Sequence, residues 1–180
     1  MKSPLSLKGR ALQLLAQRDH SRLELRRKLL RRLRDDQRGK ESGSADVLTG
    51  ASGGQIDPAR SPAELHAEVD ALMDWLQAHR YLSDERFVES RVHARAARFG
   101  NLRIRQELAQ HGVELTPSIA GDLRDSEKAR AREVQQRKFG SPPATPADRA
   151  RQARFLAGRG FSAEVVWQVL RGTAEDDPDC

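Results

Sequence analysis

Residues 81–113, YLSDERFVESRVHARAARFGNLRIRQELAQHGV, predict two consecutive helices joined by a tight turn. Ser83 is a favourable N-cap, and the two acidic residues that follow it suit the positive end of the helix dipole. Gly100 is the first glycine or proline after that cap, and it predicts a left-handed exit from the first helix. Gly112 followed by Val113 predicts a Schellman stop, with its apolar contact, for the second helix. The rest of the chain repeats this unit in weaker form.

The region before this stretch carries a leucine-rich and arginine-rich helical pattern. Residues 8–17 predict a short helix, and Ser21 with Glu24 forms a capping-box pattern for the next one. Leucines at positions 25, 29 and 33 share one face of that second helix. The basic residues lie opposite this face or at its edge, and we call them the basic ridge. They are Arg22, Arg26, Arg27, Lys28, Arg31, Arg32 and Arg34.

Residues 35–60 lose the apolar spacing and are rich in Gly, Ser, Asp and Ala. That composition predicts a flexible insertion. Ser61 followed by proline predicts the start of a third helix, because serine caps well and proline fits the first helical position. Further helices are predicted after Thr116, Thr145 and Ser162. A bend or break is expected within the first of these, at 125–126.

A turn residue followed by branched apolar residues four and eight positions later occurs three times. The sets are Ser21 with Leu25 and Leu29, Gly100 with Ile104 and Leu108, and Ser162 with Val166 and Leu170. Repeats of this kind stack into an extended array that suits an extended partner. We therefore predict an all-α fold, an elongated and curved array of tandem three-helix repeats that resemble helix-turn-helix units.

The predicted repeats are residues 1–80, which contain the insertion at 35–60, residues 81–140, and residues 141–172. An acidic, frayed tail is expected over 173–180. Two alternatives stay open for the last repeat. It either ends one helix short or recruits 126–138 as its first helix.

Positive charge is concentrated at the beginning of the chain. The formal net charge is +6, but residues 1–34 contain eleven Lys and Arg against two acidic residues, and everything after them sums to −3. Such density indicates an anionic partner, either nucleic acid or an acidic protein surface. The alternative is a solvated face that keeps the protein soluble.

Three arginines of the 81–113 stretch fall among apolar residues on the helical wheel. Arg91, Arg95 and Arg98 project into the same arc as the phenylalanines and valines of their helix. One interpretation pairs them with carboxylates such as Glu107, because a buried guanidinium without a partner is very costly. In the other, they line a groove that accepts an anionic ligand. Both interpretations stay open, and each can hold for different arginines.

Sequence signals for catalysis are missing. The five histidines are scattered without metal-ligand spacing, and no nucleophile elbow, dinucleotide fingerprint or phosphate loop occurs. We predict no catalytic residues, no metal and no cofactor. No apolar run approaches the ~20 residues that span a bilayer, so we expect a soluble, cytoplasmic protein. A DNA-recognition helix has one unspecific candidate, NLRIRQELAQ, beginning at Asn101.

Three segments carry the sequence features that are most specific to a protein family: RDHSRLELRRKL (18–29), the quoted stretch 81–113, and RQARFLAGRGFSAEVVWQVL (151–170). Their order and spacing resemble the RecX family of recombinase regulators. The resemblance implies tandem three-helix repeats that bind in the groove of the RecA nucleoprotein filament on single-stranded DNA. It also implies inhibition of the ATPase, strand-exchange and coprotease activities of RecA, in DNA repair and the SOS response, by a protein without catalytic residues. The insertion at 35–60 is longer than the family pattern.

The expected function is therefore a RecA regulator, acting as a monomer with weak direct binding to nucleic acid. The rival is an autonomous, helix-turn-helix-like DNA-binding protein. The residues expected to contact RecA or DNA are Arg22, Arg26, Arg27, Lys28, Arg31, Arg32, Arg91, Arg95, Arg98, Arg103 and Arg105.

Overall fold

Eight α-helices, and no strand, make up the regular structure of residues 5–43 and 61–171, which are the residues described by the computed structural model. The helices are α1 (Leu7–Gln17), α2 (Arg22–Gly43), α3 (Pro62–Ala78), α4 (Asp84–Ala96), α5 (Asn101–Gln110), α6 (Pro117–Phe139), α7 (Pro146–Gly158) and α8 (Ala163–Leu170). The all-α prediction is confirmed. Two compact units divide the chain between Phe87 and Val88, so α4 begins in the first unit and continues in the second.

The first unit is built around the leucine face of α2. This face packs against α1 and α3, and its core residues are Ala11, Leu25, Leu29, Leu30, Leu33, Leu65, Val69, Met73, Leu76 and Leu82. Trp75 lies at the edge of this core, where the Nζ of Lys8 sits 3.4 Å from the centre of its ring. Ser61 and Glu64 form a capping box at the start of α3.

The second unit is built around α6, which packs against α5, α7 and α8. A core shared by α6, α7 and α8 consists of Ala131, Val134, Leu156, Phe161, Val166 and Leu170. This packing supports the alternative in which 126–138 serve as the first helix of the last repeat. The assigned repeat boundaries stay a prediction.

The repeat is visible in burial and in the way helices end. All six branched residues of the three repeated sets are buried, from 0% exposed at Leu25 to 7% at Val166. Helices α3, α5 and α7 close with the same Schellman hydrogen bond, in which an N–H donates to the carbonyl five residues earlier. The bonds run from Tyr81 to Leu76 at 2.9 Å, from Val113 to Leu108 at 3.2 Å and from Phe161 to Leu156 at 3.3 Å.

Two predicted helix boundaries are wrong. Helix α2 continues to Gly43, nine residues into the predicted insertion, while residues 44–60 lie outside the described residues. The Arg10 guanidinium of α1 pairs with Asp36 in this extension, which gives a polar helix a tertiary contact that apolar spacing does not register. Helix α6 is unbroken at 125–126, where the Ser126 hydroxyl donates to the carbonyl of Asp122 at 2.7 Å instead of capping a new helix.

The predicted role of Gly100 is also wrong. Its backbone is extended, with φ −79° and ψ 171°, and it is the N-cap of α5 rather than a left-handed exit from α4. A Cβ at this position would lie 2.2 Å from both the carbonyl oxygen of Gly160 and the backbone nitrogen of Phe161. Glycine is therefore required by a close backbone approach. Gly112, at φ 69°, does adopt the expected left-handed stop.

Candidate functional site

Two arginines of the basic ridge on α2 form ion pairs with aspartates of α3. The Arg22 guanidinium donates to Asp74 at 2.7 Å, and the Arg26 guanidinium donates to both oxygens of Asp70, at 2.5 and 2.9 Å. The hydrogen bond from Arg26 lowers the pKa of Asp70. Such half-exposed pairs contribute little stability each, about 0–1 kcal/mol. They nevertheless partly neutralise the two guanidinium groups, which are then less available to a partner. Arg22 and Arg26 therefore serve the contact between α2 and α3.

Lys28 also has partners inside the first unit. Its Nζ lies 3.2 Å from a carboxylate oxygen of Glu24 and 3.0 Å from Nε2 of the buried His20. Arg18 donates to the same Glu24 carboxylate. Burial alone raises the pKa of Glu24, but the hydrogen bonds from Arg18 and Lys28 outweigh it and lower this pKa to about 2. For His20 burial acts in the opposite direction and lowers the pKa, which favours the neutral imidazole.

Replacing Glu24 with glutamine is expected to lower the free energy of unfolding of the first unit by about 1–2 kcal/mol at pH 7. The folded-state pKa of about 2 lies below the ordinary value of 4.5, so the carboxylate's contribution is complete above about pH 4.5. It is lost as the pH falls toward 2. Urea unfolding of both proteins at pH 7, 4 and 2.5 should therefore show a difference that shrinks with acidity.

The control for this measurement is Glu85→Gln, which removes an exposed carboxylate of α4. We expect it to change the unfolding free energy by no more than about 0.5 kcal/mol. A Glu24→Gln difference that stays constant from pH 7 to pH 2.5 would contradict the assigned ion pairs.

Fewer side chains of the basic ridge are exposed and unpaired than the sequence predicts. Arg31 and Arg32 are exposed, and neither has an ion pair or hydrogen bond within residues 5–43 and 61–171. Arg27 is exposed too, but it has an interaction of its own. Arg34 lies 3.5 Å from Nε2 of His66. Arg31 and Arg32 are thus the ridge positions best placed to meet a partner.

The three central arginines divide between the two interpretations. Arg91 and Arg95 reach the same oxygen of Glu107, at 3.4 and 3.0 Å, which confirms internal pairing for these two. Arg98 is exposed and has no carboxylate partner in the described ranges. Its guanidinium lies 5.8 Å from the centre of the Phe99 ring, which Arg103 also approaches, at 4.7 Å. Arg98 therefore stays available for an anionic ligand.

The start of α5, the candidate DNA-recognition helix, is partly engaged within the second unit. Asn101 is only 8% exposed, and its side-chain nitrogen donates to the carbonyl of Leu123 at 3.0 Å. The backbone N–H groups of Gly100 and Leu102 donate to the carbonyls of Arg159 and Gly160, both at 3.0 Å. Arg105 is exposed further along the helix. Asn101 and the first backbone N–H groups are thus turned into the second unit, whereas Arg103 and Gln106 are exposed like Arg105.

A buried polar junction in the second unit was missed by the sequence analysis. Glu127, 4% exposed, accepts hydrogen bonds from the backbone of Asn101 at 3.0 Å and from the hydroxyl of Ser162 at 3.1 Å. Arg130 donates to the Asn101 side chain and to three backbone carbonyls, those of Ala96 at the end of α4, Phe99 between α4 and α5, and Leu123 in α6. Burial lowers the pKa of Arg130 and the Glu127 charge partly offsets this. We call Asn101, Glu127, Arg130 and Ser162 the polar junction.

A basic cleft in the second unit was also missed. Its lining residues are Ala97, Arg98, Val134, Arg137, Lys138, Phe155 and Arg159. The sequence does contain a signal for it, because residues 88–171 hold sixteen Lys and Arg against nine Asp and Glu, a net of +7. An acidic segment before it and the acidic tail conceal this charge when everything after residue 34 is summed.

None of the helices in residues 5–43 and 61–171 has the length and apolar character to cross a bilayer. Nor do three His, Cys, Asp or Glu side chains in those ranges converge as metal ligands would.

Comparison with known proteins assigns the chain to a family. Residues 83–114 match the model of the second three-helix domain of RecX, and residues 125–170 match that of the third. A protein of Leptothrix cholodnii is 46% identical over 170 residues, covering 93% of this chain and 88% of the relative. One of Ralstonia pickettii is 40% identical over 176 residues, covering 97% and 92%. Both carry the name regulatory protein RecX. The chain therefore belongs to the RecX family.

Proposed function

We propose that this protein regulates the RecA recombinase by binding the RecA filament on single-stranded DNA. Binding inhibits ATP hydrolysis, strand exchange and coprotease activity. The protein acts as a cytoplasmic monomer and performs no catalysis itself. Membership of the RecX family is the observation that carries this proposal. An elongated, curved array of repeats, as the sequence predicts, would suit a helical groove.

The distribution of unpaired basic side chains supports a filament as the partner. The first unit presents Arg31 and Arg32, and the second presents Arg98 and Arg105, all of them exposed. These arginines are not needed for the helix contacts described above. A polymer that offers acidic protein surface and phosphates at regular intervals can engage both units at once.

The rival function, reading duplex DNA with a recognition helix, has less support. Its one sequence candidate was the start of α5, whose Asn101 side chain and first backbone N–H groups are engaged within the second unit. A helix so engaged cannot insert those groups into the major groove without breaking the contacts.

Replacing both Arg31 and Arg32 with glutamate is expected to weaken inhibition of RecA by at least about tenfold in the concentration required. Reversing two charges at an interface with anionic groups turns attraction into repulsion, which costs at least about 1.4 kcal/mol. The measurement is ATP hydrolysis by RecA on single-stranded DNA, titrated with the native protein and the variant. The native protein should lower the rate.

The matched control is Arg124→Glu/Lys128→Glu, which makes the same change in net charge at two exposed positions of α6. It should inhibit within about threefold of the native protein. No inhibition by the native protein would overturn the proposed function. Equal inhibition by the native protein and the Arg31→Glu/Arg32→Glu variant would remove these arginines from the interface while leaving the function standing.

A further inference from the structure

We infer that the basic cleft of the second unit binds the phosphodiester backbone of single-stranded DNA. The cleft has a volume of about 200 Å³ and lies where α4, α6 and α7 end. Four of its seven lining residues are cationic, namely Arg98, Arg137, Lys138 and Arg159, and none is acidic. This inference rests on the proposed function, and it names the component of the nucleoprotein filament that this surface contacts.

The four cations are not neutralised by the fold. Arg98 and Arg159 lie over the face of Phe99, at 5.8 and 5.5 Å from the ring centre, and Arg159 also covers Phe155 at 5.0 Å. Contact with a ring face orients a guanidinium without removing its charge. Arg137 lies 3.9 Å from Glu133, but both side chains are more than 60% exposed, so this pair is weak.

Helix dipoles account for only part of the charge. The carboxyl end of each helix carries the equivalent of about half a negative charge, which favours cations there. Three helix ends therefore offset about 1.5 of the four positive charges. The remaining positive charges of the four side chains repel one another unless an anion is bound. The cleft is therefore more basic than helix stability requires.

A nucleic-acid strand fits this cleft better than an acidic side chain does. Phosphates repeat along the strand, and the positive charge continues outside the cleft, with Arg103, Arg105 and Arg154 exposed on α5 and α7. Val134 and Phe155 add apolar wall, which suits the sugar carbons between phosphates. Proteins that hold a single strand without reading its sequence combine a positively charged groove along the backbone with aromatic side chains, and Phe155 is the aromatic residue of this lining.

The test uses Arg137→Gln/Lys138→Gln in the full-length protein, with a fluorescein-labelled oligothymidylate of about 20 nucleotides as the probe. Both positions are exposed at the end of α6, so the helix should persist. Fluorescence anisotropy at several salt concentrations gives the dissociation constant and its salt dependence. We expect affinity to fall about tenfold, and the slope of log K against log salt to flatten by up to about 1.4, because each lost phosphate contact removes about 0.7.

The matched control is Arg124→Gln/Lys128→Gln on the same helix. Lys128 is ten residues before Lys138, hence about 15 Å away, beyond the screening length at 0.1 M salt. This control should keep the native salt slope. Equal loss in the two variants would reduce the cleft to general positive charge and overturn the inference, as would unaltered binding by the cleft variant.

Two more outcomes separate the cleft from the proposed function. Failure of the native protein to bind the oligothymidylate at low salt overturns the inference, and so does competition confined to polyglutamate, which would identify a carboxylate-bearing protein as the ligand. If the cleft variant loses DNA binding but the native protein leaves RecA hydrolysis unchanged, the cleft stands and the proposed function fails. If the native protein inhibits RecA and the cleft variant binds DNA normally, only the inference fails.

Discussion

Replacing Gly100 with alanine is expected to destabilise the second unit by at least about 3 kcal/mol. The new Cβ would lie 2.2 Å from the carbonyl oxygen of Gly160 and from the nitrogen of Phe161. Both are backbone atoms, so no side-chain rotation relieves the overlap. Separation would also break the hydrogen bonds from Gly100 to Arg159 and from Leu102 to Gly160. A methyl group at this position therefore forces α5 away from the turn between α7 and α8.

Hydrogen–deuterium exchange of the full-length protein can measure this effect separately in the two units. Amides of α5, α7 and α8 should exchange at least about 100-fold faster in the variant, since tenfold corresponds to about 1.4 kcal/mol. Amides of α1 and α3 should keep their native rates, because those helices belong to the other unit.

Other glycines of the second unit supply the comparison. Gly160→Ala should be similarly damaging, because Gly160 has φ 82° and its Cβ would lie 2.5 Å from the Cβ of Arg103. Gly121→Ala should be neutral or stabilising by up to about 1 kcal/mol, since nothing lies within 4 Å of its Cβ site in α6. Similar exchange rates in Gly100→Ala and Gly121→Ala would contradict the close approach.

The helices were predictable wherever local chemistry specifies them. Capping residues such as Ser61 and Ser162 place the starts of α3 and α8, and both side chains do accept the first-turn hydrogen bond. Apolar residues spaced by four, such as Ile104 and Leu108, mark a buried face in any helix that packs on one side. The Schellman stop at Gly112 likewise needs only a residue that tolerates positive φ.

Features created by tertiary contact were not predictable from local patterns. Gly100 has the sequence context of a helix exit, but the backbone of a turn sixty residues later determines why it is glycine. The extension of α2 to Gly43 has no apolar face to detect, and its visible support is an ion pair with α1. Local spacing assigns such residues to loops because it contains no information about distant partners.

The candidate site was predictable in chemistry but not in detail. A helical wheel places Arg91, Arg95 and Arg98 on one arc, and only their distances to Glu107 separate the paired arginines from Arg98. In the basic ridge, Arg22 and Arg26 are taken by aspartates of α3 that are more than forty residues away in sequence. Which cations remain for a partner is therefore set by the assembled fold.

Replacing Glu127 with alanine is expected to destabilise the second unit by about 3–5 kcal/mol, the range for removing one partner from a buried charged network. The carboxylate accepts hydrogen bonds from the backbone N–H groups of Asn101 and Ser162, at 3.0 and 3.3 Å, and from the Ser162 hydroxyl. These donors lie at the starts of α5 and α8, so one negative charge meets the positive ends of two helices. Alanine leaves all three donors without their acceptor in a buried place.

Glutamine at position 127 is expected to cost less, about 2–3 kcal/mol, because its carbonyl oxygen can accept one donor while its amide group faces the others. Exchange of the α5 and α8 amides in the full-length protein should therefore rank native, Glu127→Gln and Glu127→Ala from slowest to fastest. Glu133→Ala, at an exposed position of the same helix, should stay within about 0.5 kcal/mol of native.

A variant of Arg130 can show how much of the stability lost in Glu127→Ala comes from charge. Its guanidinium is partly buried in the polar junction, where burial lowers its pKa and the Glu127 charge offsets part of that effect. Without the carboxylate this charge loses its compensation. The cost of Glu127→Ala should therefore be smaller by about 1 kcal/mol or more in an Arg130→Met background than in the native protein. An equal cost in both backgrounds would mean that Glu127 acts through its hydrogen bonds alone, as a shared cap that holds α5 and α8 in one unit.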